Sequence, residues 1–182
     1  MLDDSDHTIS ASLESPLGLL EELFGDNPLH LLLSTIILNR TQRVQVDGIF
    51  HLFLQRWPTA EAIIAAPLEE IQALIAPLGI GCRRASGIVR FARDYLDLLA
   101  SKSDLVACTT GSNRLKSTLE SPPAVAFHLT SDDIQSLFHC GTYAADAYQI
   151  FIRRDWTICP SDNALRAYVE WKRGWQSQTQ PS

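Results

Sequence analysis

Apolar positions along this chain recur with the period of helices, and no run alternates like a half-buried strand. Between about Pro28 and Asn39 apolar side chains fall on nearly every side, which predicts a central buried helix with Pro28 in its first turn. Taken alone, Leu31–Leu38 also suits a buried strand; no second strand-like run is present to pair with it, so helix is the reading. Pro16 likewise predicts a short helix that it opens as a first-turn proline. Val46, Ile49, Phe50, Phe53, Leu54 and Trp57 share one stripe that stops at Pro58. Thr59 is placed to cap Ala60–Ala66, and Pro67 to open a helix carrying Leu68, Ile71, Leu74 and Ile75. Residues 77–81 (Pro-Leu-Gly-Ile-Gly) predict a tight turn in which both glycines accept positive φ. A longer helix follows, with Ile88, Phe91, Ala92, Tyr95 and Leu99 facing inward.

Residues 101–128 are rich in Ser and Thr and end near Pro122-Pro123, which predicts an irregular insertion. Ser131 then caps a short helix with Ile134, Leu137 and Phe138, and a turn at residues 139–142 leads into a helix bearing Ala144, Ala147, Tyr148 and Phe151. A final helix is expected from about Ser161 to Trp175, with Leu165, Tyr168, Val169 and Trp175 apolar. The fold class is therefore all-α: a domain over residues 16–176, a disordered acidic tail at 1–15 and a disordered tail at 177–182.

Composition changes this picture in one respect. The formal charge of −6 argues against a nucleic-acid partner. Yet residues 1–26 hold seven acids (Asp3, Asp4, Asp6, Glu14, Glu21, Glu22, Asp26) and no Lys or Arg, leaving 14 acidic against 15 basic residues in the remainder. Basic pairs then stand out at 40/43, 83/84, 90/93, 153/154 and 172/173, as solvated faces or as phosphate contacts. The longest apolar run, Leu29–Leu38, is too short to span a bilayer and contains His30, Ser34 and Thr35, and the acidic N-terminus does not read as a signal peptide. No membrane association is expected. Cys82, Cys108, Cys140 and Cys159 form no Cys-x-x-Cys pair and are expected to be free thiols in a reducing compartment.

Three segments can carry chemistry. The hairpin around Gly141 points free backbone N–H groups at the start of its second helix, where a phosphate can sit; an ordinary helical hairpin uses the same residues. Asp162, in Cys159-Pro160-Ser161-Asp162-Asn163, is placed as a helix cap. The same helix end keeps its carboxylate ionised, as is needed to stabilise the oxocarbenium character that builds on a sugar when an N-glycosidic bond breaks. Arg40, in the polar break Asn39-Arg40-Thr41, either caps the preceding helix or fills a space left by an extruded nucleotide; Ile80, at a Gly-flanked tip, has the character of a wedge between base steps.

Together these segments resemble the helix–hairpin–helix (HhH-GPD) DNA glycosylase superfamily and, within it, the catalytic domain of the methyl-CpG-binding thymine glycosylases. The resemblance is carried by residues 31–41 (Leu-Leu-Leu-Ser-Thr-Ile-Ile-Leu-Asn-Arg-Thr), by Ala76-Pro77-Leu78-Gly79-Ile80 with Arg84-Ala85, by Gly141-Thr142-Tyr143, by residues 146–151 and by Pro160-Ser161-Asp162, in family order from about Leu17 to Trp175. It implies a two-lobed helical fold with the active site in the cleft between lobes, and Asp162 and Tyr143 as the catalytic pair. The implied DNA-facing set is Arg40, Leu78, Gly79, Ile80, Arg84, His139, Gly141 and Thr142, and the implied base pocket is Leu38, Asn39 and Glu21. Tyr143 stands where strand-cleaving relatives carry a Schiff-base lysine; tyrosine forms no imine, so β-elimination is not expected. No metal and no iron–sulfur cluster is expected, since the cluster's cysteine spacing is missing. A structural monovalent cation at the hairpin carbonyls is the only bound ion the resemblance allows.

The activity so implied is a monofunctional, monomeric nuclear glycosylase of base excision repair. It would act on double-stranded DNA, releasing thymine or uracil mispaired with guanine and leaving an abasic site. Three departures bear on it. His139-Cys140-Gly141 replaces Gly-hydrophobic-Gly, so a non-glycine at 139 must distort one amide or adopt an uncommon backbone angle. Ala164 replaces a lysine, and Leu20 or Glu21 stands at a base-reading glutamine. A catalytically inactive helix–hairpin–helix DNA-binding module, or a helical interaction module suited to the acidic charge, are the competing readings.

Overall fold

Asn27 accepts a hydrogen bond from the His30 amide (3.1 Å) and so starts α1 (Pro28–Leu38), with proline in its first turn as expected. A computed structural model describes residues 15–39, 41, 43–79, 81–109 and 129–179. Leu29, Leu31, Leu32, Leu33, Ile36 and Ile37 are all buried, and the two polar residues among them, Ser34 and Thr35, donate their hydroxyls back to Leu31 O and Leu32 O. The helix can therefore be apolar all round without leaving a buried polar group unsatisfied.

Around it lie α2 (Arg43–Arg56), α3 (Ala60–Ala65), α4 (Leu68–Ile75), the long α5 (Gly81–Thr109), α6 (Ser131–Ser136), α7 (Thr142–Ala147) and α8 (Asn163–Thr179). No strand occurs among the described residues. Helix α1 touches α2, α5 and α7, while α3 and α4 pack on α5 and α6 packs on α7. Phe50, Phe53, Ile63, Ile71, Ile75, Ile88, Phe91 and Tyr148 are among the large side chains fully buried around it. The Thr59 hydroxyl accepts from the Ala62 amide to cap α3, and Pro67 precedes α4, both as the sequence predicts. Directly after α7 the chain makes one π turn, Tyr148–Ile152, closed by Arg153 N–H to Tyr148 O at 3.2 Å.

Several boundaries differ from expectation. Pro16 opens no helix; a 3-10 turn forms instead at Leu20–Phe24, because the Glu22 carboxylate accepts from the amides of Ser15 and Leu19 and from the Ser15 hydroxyl. Ser15 is thereby buried and belongs to the domain rather than the acidic tail. Of the two turn glycines only Gly79 takes positive φ (74°), whereas Gly81 begins α5. Helix α5 continues to Thr109 through the start of the segment read as irregular, since Ser101 and Ser103 bond to Leu98 O and Leu99 O and so do not compete with the helix. Residues 110–128 and 1–14 lie outside the described residues. Helix α8 starts at Asn163 rather than Ser161 and runs to Thr179, beyond the expected start of the C-terminal tail. Its Ser177 likewise bonds back, to Arg173 O.

The cap of α6 is Thr130, not Ser131. Its hydroxyl accepts from the Asp133 amide while Asp133 accepts from the Thr130 amide, and Lys102 of α5 meets the same carboxylate at 2.8 Å. Burial raises the Asp133 pKa, but Lys102 and the Thr130 donors outweigh it and hold the carboxyl below its usual range. A depressed carboxylate stabilises the fold above its unfolded value and loses that contribution as pH falls. The wild-type chain and Asp133→Asn are therefore expected to differ in thermal midpoint at pH 7 and to converge below about pH 4. A constant gap down to pH 3 would contradict this.

Candidate functional site

The N-terminal turn, the end of α1 and the hairpin before α7 enclose a cleft of about 750 Å³. Its lining includes Leu17, Leu19, Glu21, Thr35, Leu38, Asn39, Thr41, His139, Gly141, Thr142 and Tyr143. The cleft thus brings together seven of the residues singled out in the sequence: Glu21, Leu38, Asn39, His139, Gly141, Thr142 and Tyr143.

Across its floor the Tyr143 phenol donates to Glu21 Oε1 at 2.6 Å, a link between residues far apart in sequence. Burial, then the Glu21 charge and hydrogen bond, then the Asp162 charge, all drive the phenol pKa upward. Tyr143 is therefore a neutral donor at any physiological pH. Both candidates for the base-reading position, Leu20 and Glu21, line the cleft, and Glu21 is the one bonded to Tyr143. Tyr143→Phe should destabilise the fold by about 1–3 kcal/mol, since it removes a donor from a buried carboxylate. Glu21→Gln should then cost less in that background than in wild type; equal costs in a double-mutant cycle would show that the pair is uncoupled.

Asp162 is half-buried at the start of α8 and is not among the described residues lining the cleft. Its Oδ1 accepts from the amides of Ala164 (2.8 Å) and Leu165 (3.1 Å), the capping geometry that the sequence predicts. It is close enough to Tyr143 and Asp146 for its charge to raise the pKa of both. At Asp146 the larger cause is burial, opposed by a hydrogen bond from the Ser161 amide.

Two positioning residues were given no role from the sequence. Asp146 receives the Ser161 amide, and Arg166 donates to Pro160 O (3.2 Å) and Ser161 O (3.1 Å), so the turn that presents Asp162 is held from both sides. Helical spacing carried a signal for each: Asp146 follows Tyr143 by three positions, and Arg166 follows Asp162 by four.

The DNA-facing set is more dispersed. Gly79 is exposed on its turn, while Leu78 is buried beneath it. Arg84 is buried, and its guanidinium donates to Leu78 O (3.2 Å) and Asn39 O (2.9 Å), tying the turn at 76–79 to the end of α1. Burial lowers its pKa, and it keeps its charge. Arg40 and Ile80 lie outside the described residues. At the hairpin, His139 adopts φ 65°, the uncommon backbone angle anticipated for a non-glycine there, and the turn into α7 is kept.

The basic pairs divide in the same way. Arg173 donates to Trp156 O and Ile158 O, Lys172 Nζ lies 5.4, 5.5 and 4.9 Å from the rings of Trp156, Trp171 and Trp175, and Arg154 pairs with Asp26 at 2.9 Å. Trp175 therefore packs on a lysine, partly exposed, rather than in the core. Arg83, Arg90, Arg93 and Arg153 are exposed. Cys82, Cys140 and Cys159 are free thiols, and the Cys108 side chain lies outside what is described; burial pushes Cys140 up to about 12.

The chain is 29% identical over 160 residues to a methyl-CpG-binding domain protein 4-like protein of Arabidopsis thaliana, covering 87% of this chain and 29% of that one. It is 28% identical over 116 residues to a thymine-DNA glycosylase of Aeropyrum pernix (64% and 47%) and 33% identical over 72 residues to a thymine/uracil-DNA glycosylase of Pyrobaculum aerophilum (40% and 31%). The chain thus spans less than half the length of these curated relatives. In fold it is similar to the solved structure of a thermostable thymine-DNA glycosylase, with a TM-score of 0.51 at 21% identity, covering 74% of this chain and 51% of that one. A family model described as "HhH-GPD superfamily base excision DNA repair protein" matches residues 33–182, and with most of its length so matched the chain belongs to the HhH-GPD superfamily.

Proposed function

We propose that this chain is a monofunctional DNA glycosylase that releases thymine or uracil mispaired with guanine and leaves an abasic site. The observation that carries the proposal is a capped carboxylate, Asp162, beside a cleft whose polar floor is the Tyr143–Glu21 pair. The names of the archaeal relatives supply the pyrimidine class. A mispair costs less to unstack than a matched pair, a first layer of selection within the few kcal/mol that flipping requires. Arg40 and Ile80 hold the duplex open, and the hairpin at Gly141 and Thr142 takes phosphate on its free amides. Asp162, fixed by Arg166 and Asp146, stabilises the positive charge that develops on the sugar and orients a water towards it. Tyr143 and Glu21 line the pocket for the extruded base, with Leu38 and Asn39 at its wall. A tyrosine at 143 provides no amine, so the strand stays intact.

A panel of duplexes carrying thymine, uracil or a 5-halouracil opposite guanine or adenine tests this reading. Abasic sites are expected opposite guanine only, with strand breaks appearing only after alkali. Strand cleavage without alkali would contradict the monofunctional assignment, and binding without base release would favour an inactive module.

A further inference from the structure

Sharing His139 with the base cleft, α5 and the turn before α7 form a second groove of about 540 Å³, lined by Cys82, Arg83, Ser86, Gly87, Arg90, Phe138 and His139. Arg83, Ser86 with Gly87, and Arg90 follow one another at intervals of three and four, so they share one face of α5. No carboxylate is among the lining residues, although the chain as a whole carries a net charge of −6. Arg90 lies over the Phe138 ring at 4.2 Å and pairs with Asp94 at 3.9 Å, and Asp94 also accepts from the Phe138 amide. The Arg90 guanidinium is thus restrained against the ring, and its side chain remains 65% exposed.

His139 is the residue common to both clefts. Its left-handed backbone (φ 65°) suits glycine, so a side chain there is held against a steric preference. The ring is nevertheless seated: a Cβ at Gly87 would lie 2.6 Å from its Cδ2 and Nε2, so the absence of a side chain at 87 makes the room. Two positions on different elements therefore place an imidazole on the ridge between the base cleft and a groove carrying two guanidiniums.

We propose that this groove binds a phosphodiester of the DNA strand whose nucleotide enters the base cleft, through Arg83, Arg90 and the His139 ring. The proposal rests on the glycosylase reading and extends it from the hairpin amides to a side-chain site beside them. Charge complementarity selects the ligand. Guanidinium forks match phosphate oxygens, and a restrained arginine gives up little freedom on binding.

The test is DNA affinity as a function of salt, using a G·T duplex with a 2′-fluoro group on the target sugar so that the base is retained, and methylphosphonates introduced singly along the target strand. Wild type should show a negative salt slope, and Arg83→Gln/Arg90→Gln should make it shallower by about 1–2. One methylphosphonate position should weaken wild type several-fold and leave the double variant unchanged. Gly87→Ala, which displaces the ring and keeps every charge, should blunt the effect at that same position. Arg83→Gln alone, at an exposed position, gives the same readout if the double variant loses helix content. An unchanged slope, or the same methylphosphonate profile in wild type and variant, overturns the groove while the glycosylase reading stands. A wild type with no salt-dependent DNA affinity overturns both.

Discussion

Asp162→Asn is expected to abolish base release while leaving DNA affinity within a few-fold of wild type. The amide keeps an oxygen to accept from Ala164 and Leu165, so the start of α8 is preserved. What disappears is the negative charge beside the developing cation. Losing an electrostatic contribution of this kind typically lowers turnover by about 10²–10³-fold, and in the proposed mechanism the same group also orients the water. Single-turnover kinetics at saturating enzyme separate the two quantities, because the plateau rate reports chemistry and the half-saturation point reports binding. Excision by Asp162→Asn at a rate near wild type would remove Asp162 from the chemistry and return it to the role of a cap.

Replacing Arg84 with methionine should have the largest effect on stability. Its guanidinium is buried and ties Leu78 O to Asn39 O, carbonyls on the two loops that flank Ile80 and Arg40. Methionine fills much of the space and supplies no donor, so both carbonyls lose a charge-assisted bond worth about 1.5–3 kcal/mol. A net loss of about 3 kcal/mol is expected, lowering the thermal midpoint by on the order of 5–10 °C. The effect on function should resemble loosening rather than deletion: slower base release from matched-length duplexes, with a smaller change for a single-stranded substrate that needs no opening. A variant as stable as wild type would show that the two loops are held by other contacts.

Arg84 also marks where sequence reasoning reaches and where it stops. Signals local to an element were legible. The apolar surround of α1, the Thr59 cap, the helix after Pro67, the positive φ of Gly79 and the capping geometry of Asp162 all follow from residue type and spacing over a few positions. Roles fixed by contacts between distant segments were not. A pair of adjacent arginines reads as a basic patch until one of them is seen buried beneath two loops, 45 positions from one of its acceptors. The Tyr143–Glu21 bond joins residues 122 apart and depends on a 3-10 turn that Glu22 organises through Ser15 and Leu19. Serines at 101 and 103 argue for a loop by composition, yet they lie within α5, where their hydroxyls are satisfied by carbonyls of the preceding turn. His139 lies between these cases. Its backbone angle was anticipated from the family pattern, and its seat on Gly87 was visible only in three dimensions.

The central claim is that the cleft and Asp162 together break an N-glycosidic bond and nothing else. Incubating the wild-type chain in excess over a G·T duplex and separating the products by mass tests it most directly. The account predicts free thymine in stoichiometric amount and an intact strand bearing one abasic site. Unreacted duplex after prolonged incubation of chain that demonstrably binds it, or a strand cut at the target without alkali, would contradict it.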